Sequence, residues 1–327
     1  MYYFGGRDLP TDEDALNEIT PAGTGSAFFY RFEGKLYIVT ARHCFSAKNW
    51  ETGDYLPGSH SVEPTHLALL LRRRPPGGRW DLRGSGAPVA RMLIPLLDQD
   101  GTPIWFEHPR AGAGMDVAVL RVPDSIANDE SLLIESYSPP SADGDAPNVV
   151  ASVAQDVFVI GYPYGLESGF MMPLWIRGTI ASEPVMYYPH RGQDLPLLLI
   201  DARTREGQSG APAILYRQPL TPVYTNSGTI GMTQAGFSRI LGVYSGRTSP
   251  DSDLGFVWRI EQVDVICREA KRARLDHSWP LTPDQIPLTA PEDCCSGRDS
   301  SSRSEASENR GLHIGHPDAT MSHRVRT

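Results

Sequence analysis

The chain has 327 residues, enough at about 150 per domain for two packing units with a sizeable buried core, which excludes a disulfide-stapled miniprotein. Its 30 Lys and Arg against 39 Asp and Glu give a net charge of -9, which argues against nucleic acid or an anionic membrane as partner and for uncharged or basic ones. A hydrophobic fraction of 40% is that of a globular protein, while 31 Gly and 28 Pro imply many turns and few long helices, hence an all-β core.

The first residues, MYYFGGRDLPTDEDAL, lack a basic stretch followed by an apolar one, and no segment approaches the about 18 consecutive apolar residues of a membrane span. Neither export nor membrane insertion is expected, and a cytoplasmic, bacterial setting is. Residues 1–20 are read as an N-terminal extension. Short apolar or alternating runs bounded by Gly, Pro, Asp and Ser then predict strands over 26–32, 35–41, 66–71, 89–96 and 116–122, a first barrel at 21–135 with a long insertion at 46–113. The insertion carries a basic run, RRRPPGGRWDLRG at 72–84, read as a solvated hairpin or loop in a chain that is acidic overall. At 136–148, SYSPPSADGDAPN replaces strand formers with Pro, Ser, Asp and Gly and is placed as the linker.

A second array follows, with strands expected at 156–162, 174–181, 196–201, 211–215, 239–245 and 255–258. Each array is expected to close into a six-stranded antiparallel barrel, because closure removes exposed sheet edges. One long helix is predicted over 260–274, where Ile260, Val263, Ile266, Cys267 and Ala270 fall at helical spacing and Lys271, Arg272 and Arg274 fill the last turn. It completes a second unit at 149–276. Residues 277–327 are polar and Ser-rich and are expected to be largely disordered. Cysteines at 44, 267, 294 and 295 form no spaced framework, so reduced thiols are expected. Cys294, Cys295, His313 and His316 lack the separation of zinc ligands, and no metal is expected.

Three blocks carry chemistry: TARHC at 40–44, MDVAVL at 115–120 and EGQSGAP at 206–212. Singly, each reads as a structural histidine, a strand-opening Asp and a glycine turn. Jointly, in the order His, Asp, Ser, they resemble the signature blocks of the chymotrypsin-fold (trypsin-like) serine peptidases of bacterial intracellular type. Other folds with the same chemistry order the three residues differently. GTGSAFFY, VFVIGYPYG, LWIRGTIAS and LGVYSGR also resemble strand segments of that family, extending the likeness over about 21–275.

The resemblance implies a two-barrel fold and a serine endopeptidase working on protein or peptide substrates through an acyl-enzyme, without a cofactor. Ser209 is the expected nucleophile, His43 its base and Asp116 the orienting carboxylate. The amides of Gly207 and Ser209 are the expected oxyanion hole, since Gly207 and Gly210 permit backbone that a β-carbon would hinder. By resemblance Ser245 bonds the triad aspartate, and Gly246 and Arg247 belong to the edge that pairs with substrate. Arg203, six before the nucleophile, falls at the base of the specificity pocket with Tyr244 and Arg247 near its walls. It either favours an acidic substrate side chain or pairs with Asp201 or Glu206.

Two departures from the family stand out. The upstream position that would bridge Cys44 is Phe28, which leaves a buried free thiol, and no Ile-Val-Gly-Gly activation start is present. Restraint is expected from a regulatory protein partner, from the 46–113 insertion or from a flexible 203–208 loop. The competing readings are a catalytically silent or partner-activated fold that serves as a peptide-binding module, and hydrolysis of small esters alone.

Overall fold

The computed structural model describes residues 1–4, 21, 23–59, 61–75, 89–139, 149–225, 227–233 and 235–275. The expected tail, most of the basic run and of the linker, and the late cysteines and histidines lie outside the described residues.

The first half contains β1 (Tyr2–Phe4), β2 (Gly23–Thr24), β3 (Phe28–Phe32), β4 (Lys35–Thr40), β5 (His66–Arg72), β6 (Val89–Pro95), β7 (Ala118–Arg121) and β8 (Ser136–Tyr137). Closure into the expected barrel is not seen among the described residues. There the strands form two four-stranded sheets, β2-β1-β5-β6 and β7-β4-β3-β8. β4, KLYIVT, is apolar on both faces. Leu36 and Ile38 pack with Leu67, Leu69, Leu71 and Ile94 of the other sheet, while Tyr37 and Val39 face the opposite way, into a cluster shared with the second half. β4 is thus buried on both sides, between the two clusters. Residues 136 and 137, expected in the linker, pair in parallel with β3.

The second half contains β9 (Asp156–Gly161), β10 (Leu174–Ile180), β11 (Tyr188–His190), β12 (Gln193–Leu195), β13 (Leu197–Ala202), β14 (Pro212–Arg217), β15 (Pro222–Tyr224), β16 (Ile230–Met232), β17 (Phe237–Arg247) and β18 (Leu254–Arg259). Here closure is complete, in the order β10-β13-β18-β17-β14-β9. Its interior holds Val157, Val159, Ile180, Ile200, Ala213, Leu215 and Val257. Fully burying each of the larger side chains is worth roughly 1.5–3 kcal/mol.

The helix Ile260–Glu269 follows β18 and turns Ile260, Val263, Ile266 and Cys267 onto the shared cluster. It ends short of the expected 274, because Ala270 takes a left-handed conformation (φ 46°) and its N–H closes on Ile266 O. Trp50, from the insertion, stacks edge-on against Trp258 with ring centres 5.3 Å apart, and Glu51 Oε1 meets His190 Nε2 at 2.6 Å. The insertion thus belongs to the packed body. Among the described residues no helix is long and apolar enough to cross a membrane.

Candidate active site

His43 lies three residues beyond the end of β4 and opens a single helical turn, His43–Ser46, closed by Ala47 in the left-handed region with its N–H on His43 O. Cys44, Phe45 and Ser46 are buried, so the turn is anchored by the residues after the histidine, while the imidazole keeps 13% of its surface exposed. Asp116 lies between Met115 and Val117, all three with 0% exposure, just ahead of β7. An isolated buried carboxylate would be strongly unfavourable, and here both oxygens are engaged by one residue. Oδ1 accepts the backbone N–H of His43 at 2.8 Å, and Oδ2 meets His43 Nδ1 at 2.7 Å. With Nδ1 donating to the carboxylate, Nε2 carries the lone pair. Burial disfavours the imidazolium, but the charge of Asp116, aided by Cys44 and the Asp116 hydrogen bond, outweighs it and holds His43 well above the ordinary imidazole range.

Ser209 sits in a turn that only glycine can build. Gly207 (φ 88°) and Gly210 (φ 85°) are left-handed. A β-carbon on Gly207 would lie 2.4 Å from Tyr162 O, and one on Gly210 would lie 2.1 Å from Thr40 Oγ1. The turn is tied down from both sides. Gly210 N–H donates to Tyr244 O at 2.7 Å, Ser26 N–H to Ser209 O at 2.8 Å, and Ser26 Oγ–H to Gly207 O at 2.7 Å. Among the described residues the N–H groups of Gly207 and Ser209 have no acceptor, so two donors are left for a ligand oxygen.

Ser26 also joins the turn to the histidine strand, because Thr40 Oγ1–H donates to its carbonyl at 2.8 Å. Cys44 Sγ, next to His43, is 3.8 Å from Ser209 O. The His43–Asp116 bond is made, and the Ser209 turn is tied to the strand and turn that carry His43 through Ser26 and Cys44, with no hydrogen bond on Ser209 Oγ among the described residues.

Residues 25–218 match the family model described as the trypsin-like peptidase domain. The chain belongs to that family. The matched stretch is more than half of the chain and spans His43, Asp116 and Ser209. Among solved structures, the Rv3671c protease of M. tuberculosis is similar at 16% identity in its active form, with a TM-score of 0.34 over 76% of this chain and 74% of that one. An inactive form of it is similar at 17% identity, with a TM-score of 0.33 over 75% and 80%. No curated protein matches the sequence significantly.

Within this trypsin-like peptidase domain, several expected contacts are rearranged. Ser245 Oγ is buried without a hydrogen-bond partner and does not bond Asp116, whose two oxygens His43 already occupies. Ser245 stands at a bulge, since β17 slips register against β18 between Tyr244 and Gly246. Gly246 (φ 137°) and Arg247 continue that edge, half-buried. Arg203 is exposed and makes no ion pair among the described residues, with either Asp201 or Glu206. Cys44 is a buried free thiol as expected, but the residue facing it is Gly25, not Phe28: a β-carbon on Gly25 would lie 2.8 Å from Cys44 Sγ.

Two residues of the site escaped the sequence reading. Ser26 is the bracket just described, and its only signal was a hydroxyl among the small residues of GTGSAFF. Gln208 is fully buried, and its Oε1 accepts Arg205 N–H at 2.8 Å, bracing the turn from within.

Proposed function

We propose that this chain is a serine endopeptidase that cleaves peptide bonds through a covalent acyl-enzyme. The observation that carries the reading is a buried carboxylate committed with both oxygens to His43, beside a glycine-held serine turn with two unused N–H donors. Ser209 Oγ attacks the scissile carbonyl carbon while His43 Nε2 takes its proton, and Asp116 stabilises the imidazolium. The carbonyl oxygen, now negative, is held by the amides of Gly207 and Ser209. His43 then gives the proton to the departing amine, the C–N bond breaks, and water activated by the same imidazole hydrolyses the ester. The Ser209–His43 hydrogen bond is one that closes when substrate excludes water, a common difference between free and bound sites.

A fluorophosphonate should attach to Ser209 in the wild type and fail to attach in Ser209→Ala. Peptidase activity should fall at least about 10³-fold in that variant, the scale characteristic of this family's triad. Intact wild-type protein that takes up no label and cleaves no peptide would sink the reading.

A further inference from the structure

In the family this chain belongs to, the side chain of the acyl residue enters a specificity pocket that the resemblance places at the 203–208 turn, with Tyr244 and Arg247 near its walls. In this molecule the pocket is occupied. Tyr244 leaves β17 and crosses to the turn, where its hydroxyl meets Thr204 Oγ1 at 2.5 Å. One edge of its ring lies against β18: the position of a β-carbon on Gly255 would be 2.5 Å from Tyr244 Cε2 and 3.3 Å from Cζ. Gly255 is what lets the ring fit.

Tyr244 is held at both ends. Its N–H donates to Ala211 O at 2.9 Å and its carbonyl accepts Gly210 N–H at 2.7 Å, so its backbone is bonded to the residues immediately after the nucleophile. The side chain is 2% exposed and its partner Thr204 is 0% exposed. Burial pushes the phenol up to about 12, which keeps it a neutral hydroxyl able to share a hydrogen bond with a threonine. A ring packed and bonded in this way does not swing aside without costing Thr204 Oγ1 its short bond and leaving it, buried, only the longer one to Ala202 O at 3.4 Å.

We propose that Tyr244 fills the pocket beneath Ser209 and so confines this protein to substrates with a small residue, Gly, Ala or Ser, on the acyl side of the scissile bond. This rests on the serine-peptidase reading above. Arg203, next to Thr204, is exposed.

The test is cleavage-site profiling of the full chain on a proteome-derived peptide library, with fluorophosphonate labelling in parallel. Wild type should cut after Gly, Ala and Ser and discriminate against Phe, Leu and Arg by about 10²-fold, because steric exclusion by a packed interior is strongly unfavourable. Tyr244→Ala should raise the relative rate after Leu, Met or Phe by at least about tenfold, the scale of a few methylenes accommodated or refused. Tyr244→Phe keeps the ring and should keep the small-residue preference, so it guards against an alanine variant that fails to fold. Labelled wild-type protein that cuts after bulky residues overturns the proposal and leaves the peptidase reading intact. So does a folded Tyr244→Ala variant with an unchanged profile. Failure of wild type to label overturns the peptidase reading and this proposal with it.

Discussion

Asp116 is the residue on which the most depends, because it is fully buried and spends both oxygens on a single partner. Replacing it by Asn keeps the shape and changes the donor pattern. An amide NH2 facing His43 Nδ1 forces that nitrogen to accept, which moves the imidazole proton to Nε2 and removes the base from Ser209. Asp116→Asn should therefore fold and lose about 10⁴-fold in kcat, the loss characteristic of this family's triad. The pH profile distinguishes this from simple damage. In wild type, His43 must shed its proton to act, and the nearby carboxylate holds its pKa well above ordinary, so kcat/KM should climb with a midpoint above about 6.5. Without the carboxylate the desolvation of the imidazolium loses its main opponent and the midpoint should move down. A midpoint that stays in place in Asp116→Asn would show that another group governs the profile.

At the scale of elements, His43 is positioned by a strap as much as by its own strand. After the helix Ile260–Glu269 the chain reverses at Ala270 and runs back along 105–108, with Ala273 N–H on Trp105 O at 3.0 Å and Glu107 N–H on Lys271 O at 3.1 Å. Arg42, immediately before His43, is locked into this strap. Its Nε meets Glu107 Oε2 at 3.1 Å and its Nη2 donates to Arg274 O at 2.9 Å, with Arg42 at 2% and Glu107 at 0% exposure. Removing one charge of such a pair strands the other. Glu107→Leu should destabilise the protein by about 3–5 kcal/mol in urea unfolding, whereas Arg42→Met combined with Glu107→Leu should recover much of that loss. Additive losses in the double variant would mean that the two side chains do not depend on each other. None of this could be read from sequence, since two charges 65 residues apart leave no local signal and Lys271 to Arg274 continue the helical pattern of the residues before them. Periodicity, by contrast, located β3, β4, β9, β10 and β13 to within about two residues, because each turns a regular apolar face inward. The short pairs β11-β12 and β15-β16 escaped, being held by backbone bonds between residues of mixed polarity. The blocks around His43, Asp116 and Ser209 were legible because each is contiguous. Ser26 and the reach of Tyr244 were not, because their partners, Gly207 and Thr204, are 181 and 40 residues away.

Across the whole molecule, two histidines, one buried and one largely buried, pull stability in opposite directions with pH. His108 is 1% exposed and its Nδ1 accepts Ala111 N–H at 3.0 Å, a bond only the neutral ring can receive there. Burial first, then the charges of Arg110 and Lys271, lower its pKa to about 4. Unfolded, it would take a proton near 6.5, so between about 6.5 and 4 the unfolded chain binds a proton that the folded one refuses, and stability falls as pH falls. The shift corresponds to a loss on the order of 3 kcal/mol by the lower end of that window. His43 is the reverse case. Its raised pKa contributes stability that is fully present below about 6.5 and is lost as pH rises through the folded value, the same titration that frees the base. Stability should thus peak near neutrality, and activity should still be rising where stability has begun to decline. His108→Asn offers an oxygen where Nδ1 accepted and removes the titration. Unfolding free energies from pH 4 to 8 should show a flattened acid limb in that variant and an unchanged alkaline one, whereas an acid limb as steep as in wild type would assign the loss to other groups.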